Sequence, residues 1–579
     1  MLKRMRILWT FALLVLLIVT HQVLSPVFGT PTIQEHRVRA SPAMLEVRFP
    51  ISMGPVFPRT FLVSGMNCIN GIRINDHRIA SDIFPLCNSS MGLELPTHFF
   101  MQKEANIVSV MINALLDNQT GIDVRISPWD PLECSFNILY CILLSMLGYL
   151  CIRRWNRGSQ SQSLAFVFLG GSMLRVWYFL TTGAFVRFHD VTGHVEYIRH
   201  VARYLRLPPS GGGWEFHQSP LYYIVSGLWW RMGEWIARSP AEMLRDLQVG
   251  SLLLSIAAFA IGLPMAAILF SRQDAHRDAT KFLLLLSTIP SLVFLSAWIN
   301  NDVPATFFAF LIILLLLRWW RSPDMTAWIM LWIIIAVGVL VKETLLPFII
   351  IALLCLLSHT HISRKRKLSL CAIGISILFL LTFWLVVLRN LEPDHGRLLS
   401  MGNGFLNDDL RVGNSITDYL IFHPGRIFQL PFNTPWLDIG RRQLFWEFFF
   451  RSVLFGEFQF TRLWMLCAHL ALAGMILLLA LLYGITADCR LRSRYFFPLI
   501  VTTIVLLATL IIYRIAFPFS PNQDFRFVTG LALPFSYYIV IGIRSAPAWF
   551  QEIANVALGA FVLLSAIFLI LAPLLNITP

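Results

Sequence analysis

The sequence predicts an all-α polytopic membrane protein with about 13 transmembrane helices and a small extracytoplasmic β-sandwich inserted after the first helix. Three observations predict this fold class. First, 56% of the 579 residues are apolar, 13% are charged, and the mean hydropathy is +0.67. Second, apolar segments of about 20 residues recur, and each is long enough to span a bilayer core of roughly 30 Å. Third, the polar region 25–131 carries short alternating β-branched segments instead of a helical pattern.

The distribution of charge sets the orientation of the helices. The formal net charge is +14, which by itself would also suit a nucleic-acid-binding protein. However, the Lys and Arg residues cluster in short loops between apolar segments, which is the positive-inside pattern of membrane proteins. This pattern argues against nucleic acid and places most of the basic loops in the cytoplasm.

The N-terminal quarter of the chain divides into three predicted parts. In residues 1–24, Lys3 and Arg4 precede an apolar run. This segment is either a signal peptide or a retained membrane helix, and we favour the helix. Residues 25–131 form the β-sandwich, whose role stays open between sugar binding and simple packing. Cys68 and Cys87 lie in this region and can pair if it faces an oxidising compartment. Residues 132–160 hold the second membrane helix and a cytoplasmic loop.

Residues 161–579 are predicted to form one multi-helix membrane domain with outer loops at 187–245 and 389–461. The first of its eleven helices covers about Leu164–Thr182, and the alternation places basic loops such as 363–367 in the cytoplasm. Two Trp- and Phe-rich segments, 224–238 and 445–458, are amphipathic. We expect both to lie in the outer interface without crossing the membrane.

In this topology, ionisable residues recur at the outer ends of helices. They are Asp190, Asp302, Lys342 and the pair Asp524 and Arg526. Ionisable groups at such a depth are costly unless they face a cavity or a partner. Together with the polar stretch 187–223, they predict one outer cavity that carries both carboxylates and cations.

These residues stand in an order that resembles the GT-C class of integral-membrane glycosyltransferases. The resemblance is to bacterial relatives of dolichyl-phosphate-mannose protein mannosyltransferase and to the lipid A aminoarabinose transferase, and it covers about residue 164 to the C-terminus. The elements that carry it are Asp190 followed by His194 and Tyr197, the stretch HQSPLYY at 217–223, Asn301-Asp302, and Lys342-Glu343-Thr344. Ser219 replaces the first proline of the family's HPPLYY-like stretch. The Asn-Asp pair replaces a double carboxylate, so no metal is predicted, although a divalent ion stays open.

The resemblance implies an enzyme of the bacterial inner membrane with an extracytoplasmic active site. Its donor would be a polyprenyl-phosphate-linked sugar, and its acceptor a hydroxyl group of a lipid, a glycan or a protein. Asp190 would be the general base of an inverting transfer, since an apolar site can raise a carboxylate pKa to a useful value. Lys342 and Arg526 would bind the phosphate, and Asp302 would position a substrate. His217, Tyr222 and His194 would line the site.

Each assignment has a structural alternative. Asp190 and Asp302 are also suited to capping the helices that follow them. Lys342 is long enough to reach the lipid headgroups, and Arg526 has Asp524 as a local partner. His189, His194 and Glu196 are metal-ligand residue types at loose spacing. Arg175 lies inside a predicted helix, where a packing contact and a donor contact stay equally open.

Two other functions compete with the transferase. A transporter or flippase of lipid-linked sugars would have the same lipid-facing composition, but such folds are often built from internal repeats, and we find no repeat in the sequence. A sugar- or lipid-binding scaffold would place the function in region 25–131.

Overall fold

The structure of the protein is a computed structural model. It describes residues 159–184, 186–187, 189–236, 238, 240–270, 276–390, 410–433, 443–491 and 493–575, together with eight strands between residues 36 and 126. The predicted first and second membrane helices and the cysteines Cys68 and Cys87 lie outside the described residues.

Helices make up the described part of the chain from residue 159 onward. The α-helices are α1 (Ser159–Thr181), α2 (Val191–Tyr204), α3 (Leu221–Trp235), α4 (Pro240–Leu269), α5 (His276–Thr288), α6 (Pro290–Phe294), α7 (Asp302–Arg321), α8 (Met325–Val341), α9 (Pro347–Ser358), α10 (Arg364–Asn390), α11 (Ile416–Leu420), α12 (Pro424–Gln429), α13 (Phe445–Phe455), α14 (Trp464–Leu491), α15 (Phe496–Ala516), α16 (Ala532–Ser545) and α17 (Ala548–Leu575). Short 3-10 helices cover Leu295–Ala297, Glu343–Leu345, Thr461–Leu463, Ser520–Gln523 and Phe525–Leu531.

In the described part, 8 helical segments are long and apolar enough to cross a membrane, or 9 if the pair α5 and α6, bent by 59°, counts as one span. Two shorter apolar segments, Met325–Val341 and Glu343–Ser358, lie between longer helices. The chain is therefore a multi-pass membrane protein. Each of the eleven spans predicted from residue 164 onward coincides with one of these helical segments. The total of about 13 stays a prediction.

The break between α5 and α6 shows the role of Arg175. This buried residue of α1 donates from Nη1 to the carbonyl of Ser287 at 3.3 Å and from Nη2 to that of Leu286 at 3.4 Å. It also donates from Nε to the hydroxyl of Ser255 at 3.2 Å. Pro290 follows the break and has no N–H to continue the helix, so carbonyls at the end of α5 need other donors. Arg175 supplies them and is a structural residue.

Glycines allow the closest helix contact in the bundle, between α14 and α16. A Cβ atom at Gly484 would lie 1.8 Å from the carbonyl oxygen of Tyr538, and one at Gly542 would lie 1.8 Å from that of Ala480. No side chain fits at either position. Small residues are the usual means by which membrane helices bring their backbones together.

The strands of the N-terminal region form two antiparallel sheets. They are β1 (His36–Ser41), β2 (Met44–Ser52), β3 (Phe61–Gly65), β4 (Ile69–Ile74), β5 (His77–Arg78), β6 (Leu93–Leu95), β7 (Ala105–Asn113) and β8 (Ile122–Ile126). One sheet has the order β1-β2-β7-β4-β5 and the other β6-β3-β8. The short alternating segments predicted in region 25–131 are confirmed as strands where the structure describes this region. Asn70 and Gly71 lie inside β4, where the register with β7 shifts.

The expectation of an interfacial helix at 445–458 is also wrong. Helix α13 is packed inside the protein, with Phe445, Glu447 and Arg451 fully buried. Nη2 of Arg451 lies 3.2 Å from Oε2 of Glu447 one turn away, so the two charges that made the segment look amphipathic neutralise each other. Helix α3, by contrast, exposes a row of large apolar side chains, among them Trp229 and Trp235.

Candidate active site

The Asp190 carboxylate is partly exposed and lies beside Trp214 and Arg526. Its side chain is 40% exposed, and its backbone has φ 51° and ψ 25°, the left-handed conformation that costs most L-residues roughly 1–2 kcal/mol. It makes no side-chain capping bond to α2, so the helix-cap interpretation is wrong. Instead Oδ1 accepts a hydrogen bond from Nε1 of Trp214 at 3.2 Å, and Oδ2 lies 4.0 Å from Nη1 of Arg526.

Asp302 and Lys342 form a buried ion pair, with 2.5 Å between Oδ1 and Nζ. The second carboxylate oxygen accepts from Nδ2 of Asn300 at 3.2 Å. The Lys342 side chain is 7% exposed, so it does not extend to the membrane surface. Helix α7 begins at Asp302 and α8 ends just before Lys342. The ion pair therefore links the N-terminus of α7 to the C-terminus of α8.

The HQSPLYY stretch is hydrogen-bonded to both of the later motifs. Oε1 of Gln218 accepts from Nδ2 of Asn301 at 3.1 Å. The hydroxyl of Ser219 donates to Oε1 of Glu343 at 2.9 Å and to the carbonyl of Val339 at 2.8 Å. Three short motifs that are far apart in the sequence therefore meet at one place. The serine that departs from the family pattern joins two of them.

The predicted lining residues differ in their surroundings. His194 is buried, and its Nδ1 lies 2.8 Å from the hydroxyl of Tyr223, which stacks on Tyr197 at 3.8 Å between ring centroids. Burial lowers the pKa of His194, and the charges of Lys342 and Arg526 lower it further, so the ring is neutral. His194 is thus part of an aromatic packing cluster with Tyr223 and Tyr197.

His217 and Tyr222 lie on the loop before α3 and on its first turn. Both are half-buried, and Nε2 of His217 lies 3.5 Å from Nε2 of Gln218. Burial raises the pKa of the Tyr222 hydroxyl, so Tyr222 stays a neutral hydrogen-bonding group.

Sequence reasoning assigned no role to Glu215 or Glu457. Glu215 is buried, and burial together with the charge of Asp190 raises its pKa. Burial likewise raises the pKa of Glu457, whose Oε2 lies 3.5 Å from Nδ1 of His189. The position of Glu215 beside Trp214 was a usable signal, since it falls in the polar stretch. Glu457 had no such signal, because it lies within the segment 445–458 that was predicted to be interfacial.

Two earlier alternatives can now be decided. Asp524 and Arg526 are local partners: Oδ1 of Asp524 accepts from the Arg526 backbone N–H at 2.8 Å, and the positive charge of Arg526 lowers the pKa of Asp524, which burial raises. His189, His194 and Glu196 do not come together. In the described residues, the group that brings possible metal ligands together is His189 with Glu457 and Asp524.

Comparison with known families gives a match over part of the chain. The sequence profile of the dolichyl-phosphate-mannose-protein mannosyltransferase family matches residues 231–385. The resemblance to this family is confirmed. The matched segment runs from α3 to α10 and contains Asp302 and Lys342, whereas Asp190 and Arg526 lie outside it. No curated protein sequence matches the chain.

Solved structures of membrane glycosyltransferases are similar to this chain at low identity. ArnT from Cupriavidus metallidurans bound to undecaprenyl phosphate has 14% identity and a TM-score of 0.42 over 68% of this chain. The oligosaccharyltransferase of Archaeoglobus fulgidus, in a complex with Zn and sulfate, has 13% identity and a TM-score of 0.39 over 70%. Arabinosyltransferase EmbB from Mycobacterium smegmatis has 10% identity and a TM-score of 0.37 over 92%. The chain covers 62%, 53% and 53% of these three proteins, respectively.

Proposed function

We propose that this protein transfers a sugar from a polyprenyl-phosphate-linked donor to a hydroxyl acceptor on a lipid, a glycan or a protein. One observation carries the proposal: the Asp190 carboxylate is 40% exposed beside an Arg526 side chain that is 12% exposed. In contrast, Asp302 and Glu215 are buried. A base must be reachable by its substrate, and the cation that receives the leaving phosphate must be held in place beside it.

The chemistry assigned to this geometry is a single displacement. The acceptor hydroxyl gives its proton to Asp190 as its oxygen attacks C1 of the sugar. The bond between C1 and the phosphate oxygen breaks, and polyprenyl phosphate leaves with the bonding electrons on its oxygen. Attack from the opposite face inverts the anomeric centre. Arg526 stabilises the charge that develops on the phosphate, and Trp214 holds the Asp190 carboxylate in position.

Lys342 has a smaller direct part in this proposal, because its ammonium is already paired with Asp302. The pair contributes by holding the ends of α7 and α8, to which Gln218 and Ser219 attach. His217 and Tyr222 are assigned to the wall of the substrate cavity, and His194 supports Tyr223 behind that wall.

Sidedness supports an active site at the extracytoplasmic face of a bacterial inner membrane. Basic helix ends gather at the end of the bundle away from Asp190. There Nη1 of Arg544 pairs with Asp278 at 3.2 Å, and Nη2 of Arg494 donates to the carbonyl of Arg321 at 2.5 Å. By the positive-inside rule this end is cytoplasmic. The proposal retains about 13 spans, a sandwich of the two sheets at 25–131, and the boundaries at residues 24, 131 and 160.

The test is transfer of a labelled sugar in proteoliposomes that contain a polyprenyl-phosphate sugar of defined anomeric configuration. The expected result is a covalent product with the inverted configuration. A product with retained configuration would refute the single displacement. Intact donor in the opposite leaflet, with no product from any donor or acceptor class, would refute the transferase and favour a flippase.

A further inference from the structure

A group of basic side chains lies at the end of the bundle assigned to the cytoplasm. Arg321 ends α7, and Lys367 lies on the first turn of α10. Arg494 lies between α14 and α15, and it donates from Nη2 to the carbonyl of Arg321 at 2.5 Å. His359 and His361 lie between α9 and α10. These five residues, called the Arg494 cluster below, come from three separate connections of the bundle.

Hydrogen bonds and ring contacts hold the Arg494 cluster together. The indole N–H of Trp320 donates to the carbonyl of Arg494 at 2.8 Å. The Trp320 ring also meets the ring of His359 at 4.9 Å between centroids. Nζ of Lys367 donates to the carbonyl of Leu357, in the last turn of α9, at 2.5 Å. These contacts bring connections that are far apart in the sequence to one place.

Three acidic side chains at this end of the bundle have other partners. Asp324 caps α8 by accepting from a backbone N–H at 2.8 Å. Asp488 accepts from the hydroxyl of Tyr537 at 3.1 Å. Asp278 pairs with Arg544 at 3.2 Å. In the described part of the chain, no ion pair with a carboxylate neutralises the cations of the Arg494 cluster.

His359 gives the cluster a buried polar atom that the protein itself does not use. The residue is 7% exposed, and its Nδ1 has no hydrogen-bond partner among the described residues. Burial lowers the pKa of His359, although a backbone hydrogen bond to Trp320 raises it. The charges of His361, Lys367 and Arg494 lower this pKa further, so the ring is neutral. A neutral imidazole can donate from Nδ1 to a phosphate oxygen.

The protein surface next to the Arg494 cluster is apolar. The membrane-spanning window within residues 364–385 of α10 is only 11% buried, and Leu368, one residue after Lys367, is 73% exposed. Leu357 of α9, whose carbonyl binds Lys367, is 62% exposed. Acyl chains can therefore lie along α9 and α10 while a headgroup reaches the cations. This combination favours an amphiphile with an anionic head over a soluble anion.

We propose that the Arg494 cluster binds the phosphate group of an anionic membrane phospholipid. Arg494, Arg321 and Lys367 supply the positive charge, and Nδ1 of His359 supplies a directed hydrogen bond. Trp320 lies beside them, as aromatic side chains commonly do at the level of the headgroups. Basic pockets between membrane helices on the cytoplasmic side are typical sites for such headgroups. The proposal does not depend on the transfer reaction.

The experiment measures lipid binding by the full-length protein, purified and delipidated in a non-ionic detergent. Phosphatidylglycerol and phosphatidylcholine with the same acyl chains are titrated separately, and bound lipid is counted by native mass spectrometry. The variants are Arg494→Gln, Lys367→Gln, the two combined, and His359→Phe, which keeps an aromatic ring and removes the donor. The matched control is Arg544→Gln, which removes a charge at the same end that already has an aspartate partner.

The wild type and Arg544→Gln should bind phosphatidylglycerol in preference to phosphatidylcholine. One basic residue beside an anionic lipid contributes about fivefold in affinity, so Arg494→Gln and Lys367→Gln should each lose about fivefold and the double variant about 25-fold. His359→Phe should lose about tenfold, because a hydrogen bond to a charged group is removed. The thermal midpoint is a second measurement: phosphatidylglycerol should raise it more than phosphatidylcholine does in the wild type, and this difference should disappear in the double variant.

Three results would overturn the proposal. One is equal affinity of the wild type for the two lipids, and another is unchanged phosphatidylglycerol affinity in the double variant. The third is displacement of the lipid by an equal concentration of glycerol 3-phosphate, which would show a site for a soluble phosphate. Lipid preference in a protein that transfers no sugar would refute the proposed function alone, and transfer by a protein without this preference would refute this inference alone.

Discussion

Replacement of Asp302 by asparagine tests how the attraction between Asp302 and Lys342 compares with the cost of burying their charges. At 2.5 Å, two unit charges in an effective dielectric of about 20 attract each other by about 7 kcal/mol. Much of this attraction offsets the cost of removing both charges from water. Removing one partner leaves the other charge buried without compensation, which costs about 3–5 kcal/mol. We expect Asp302→Asn to lose stability in that range.

The double variant Asp302→Asn/Lys342→Met separates this explanation from simple loss of packing. With both charges gone, the unfolding free energy should return to within about 1.5 kcal/mol of the wild type, because replacing a whole buried pair is often neutral. Asp278→Asn is the matched control. Its partner Arg544 is 46% exposed, so that variant should lose less than about 1 kcal/mol.

The assay is denaturation of the purified protein in mixed micelles, followed by tryptophan fluorescence, with the thermal midpoint as a second measure. The coupling energy from the four proteins isolates the pairwise interaction. The reasoning would be refuted if the double variant were less stable than Asp302→Asn, or if Asp302→Asn lost no more stability than Asp278→Asn.

Three further predictions concern other parts of the site and its support. Arg526→Gln should lower kcat/KM for transfer about 100–1000-fold by removing the cation beside the leaving phosphate; a loss below tenfold in a kinetic assay would contradict this role. Burial raises the pKa of Glu215, so its stabilising contribution is complete below its ordinary pKa near ~4.3 and is lost as pH rises through the folded value. In the wild type the thermal unfolding midpoint should therefore fall as pH rises, and Glu215→Gln should reduce this dependence on pH. An equal pH dependence in the two proteins would contradict the prediction. Arg175→Met should destabilise the protein by about 3 kcal/mol, because carbonyls at the end of α5 lose their donor; wild-type stability in the denaturation assay would show that the bend does not need Arg175.

The sequence was sufficient for the parts of the structure that depend on local pattern. Apolar length predicted the long apolar helices from α1 onward, and alternation predicted strands in region 25–131. The orientation inferred from the basic loops also predicted that Asp190, Asp302 and Lys342 lie at one end of the bundle. These predictions succeed because the bilayer imposes one length scale and the sheet imposes one period.

Pairings across the bundle could not be predicted in this way. No local pattern indicates that Lys342 binds Asp302 or that Glu457 lies beside His189, because such contacts depend on helix packing. Helix α13 was placed at the interface for the same reason, since the internal pairing of Glu447 with Arg451 hides its charges. Arg175 binds backbone carbonyls, which leave no residue-type signal.

The most direct test of the proposed mechanism is the initial rate of labelled-sugar transfer in proteoliposomes by the wild type and by Asp190→Asn. The matched control is Glu552→Gln, an exposed carboxylate on α17. A general base contributes about 100- to 10,000-fold, so Asp190→Asn should lose at least about 100-fold in rate at equal folded protein, while Glu552→Gln should match the wild type. Transfer by Asp190→Asn at the wild-type rate would show that Asp190 is not the base.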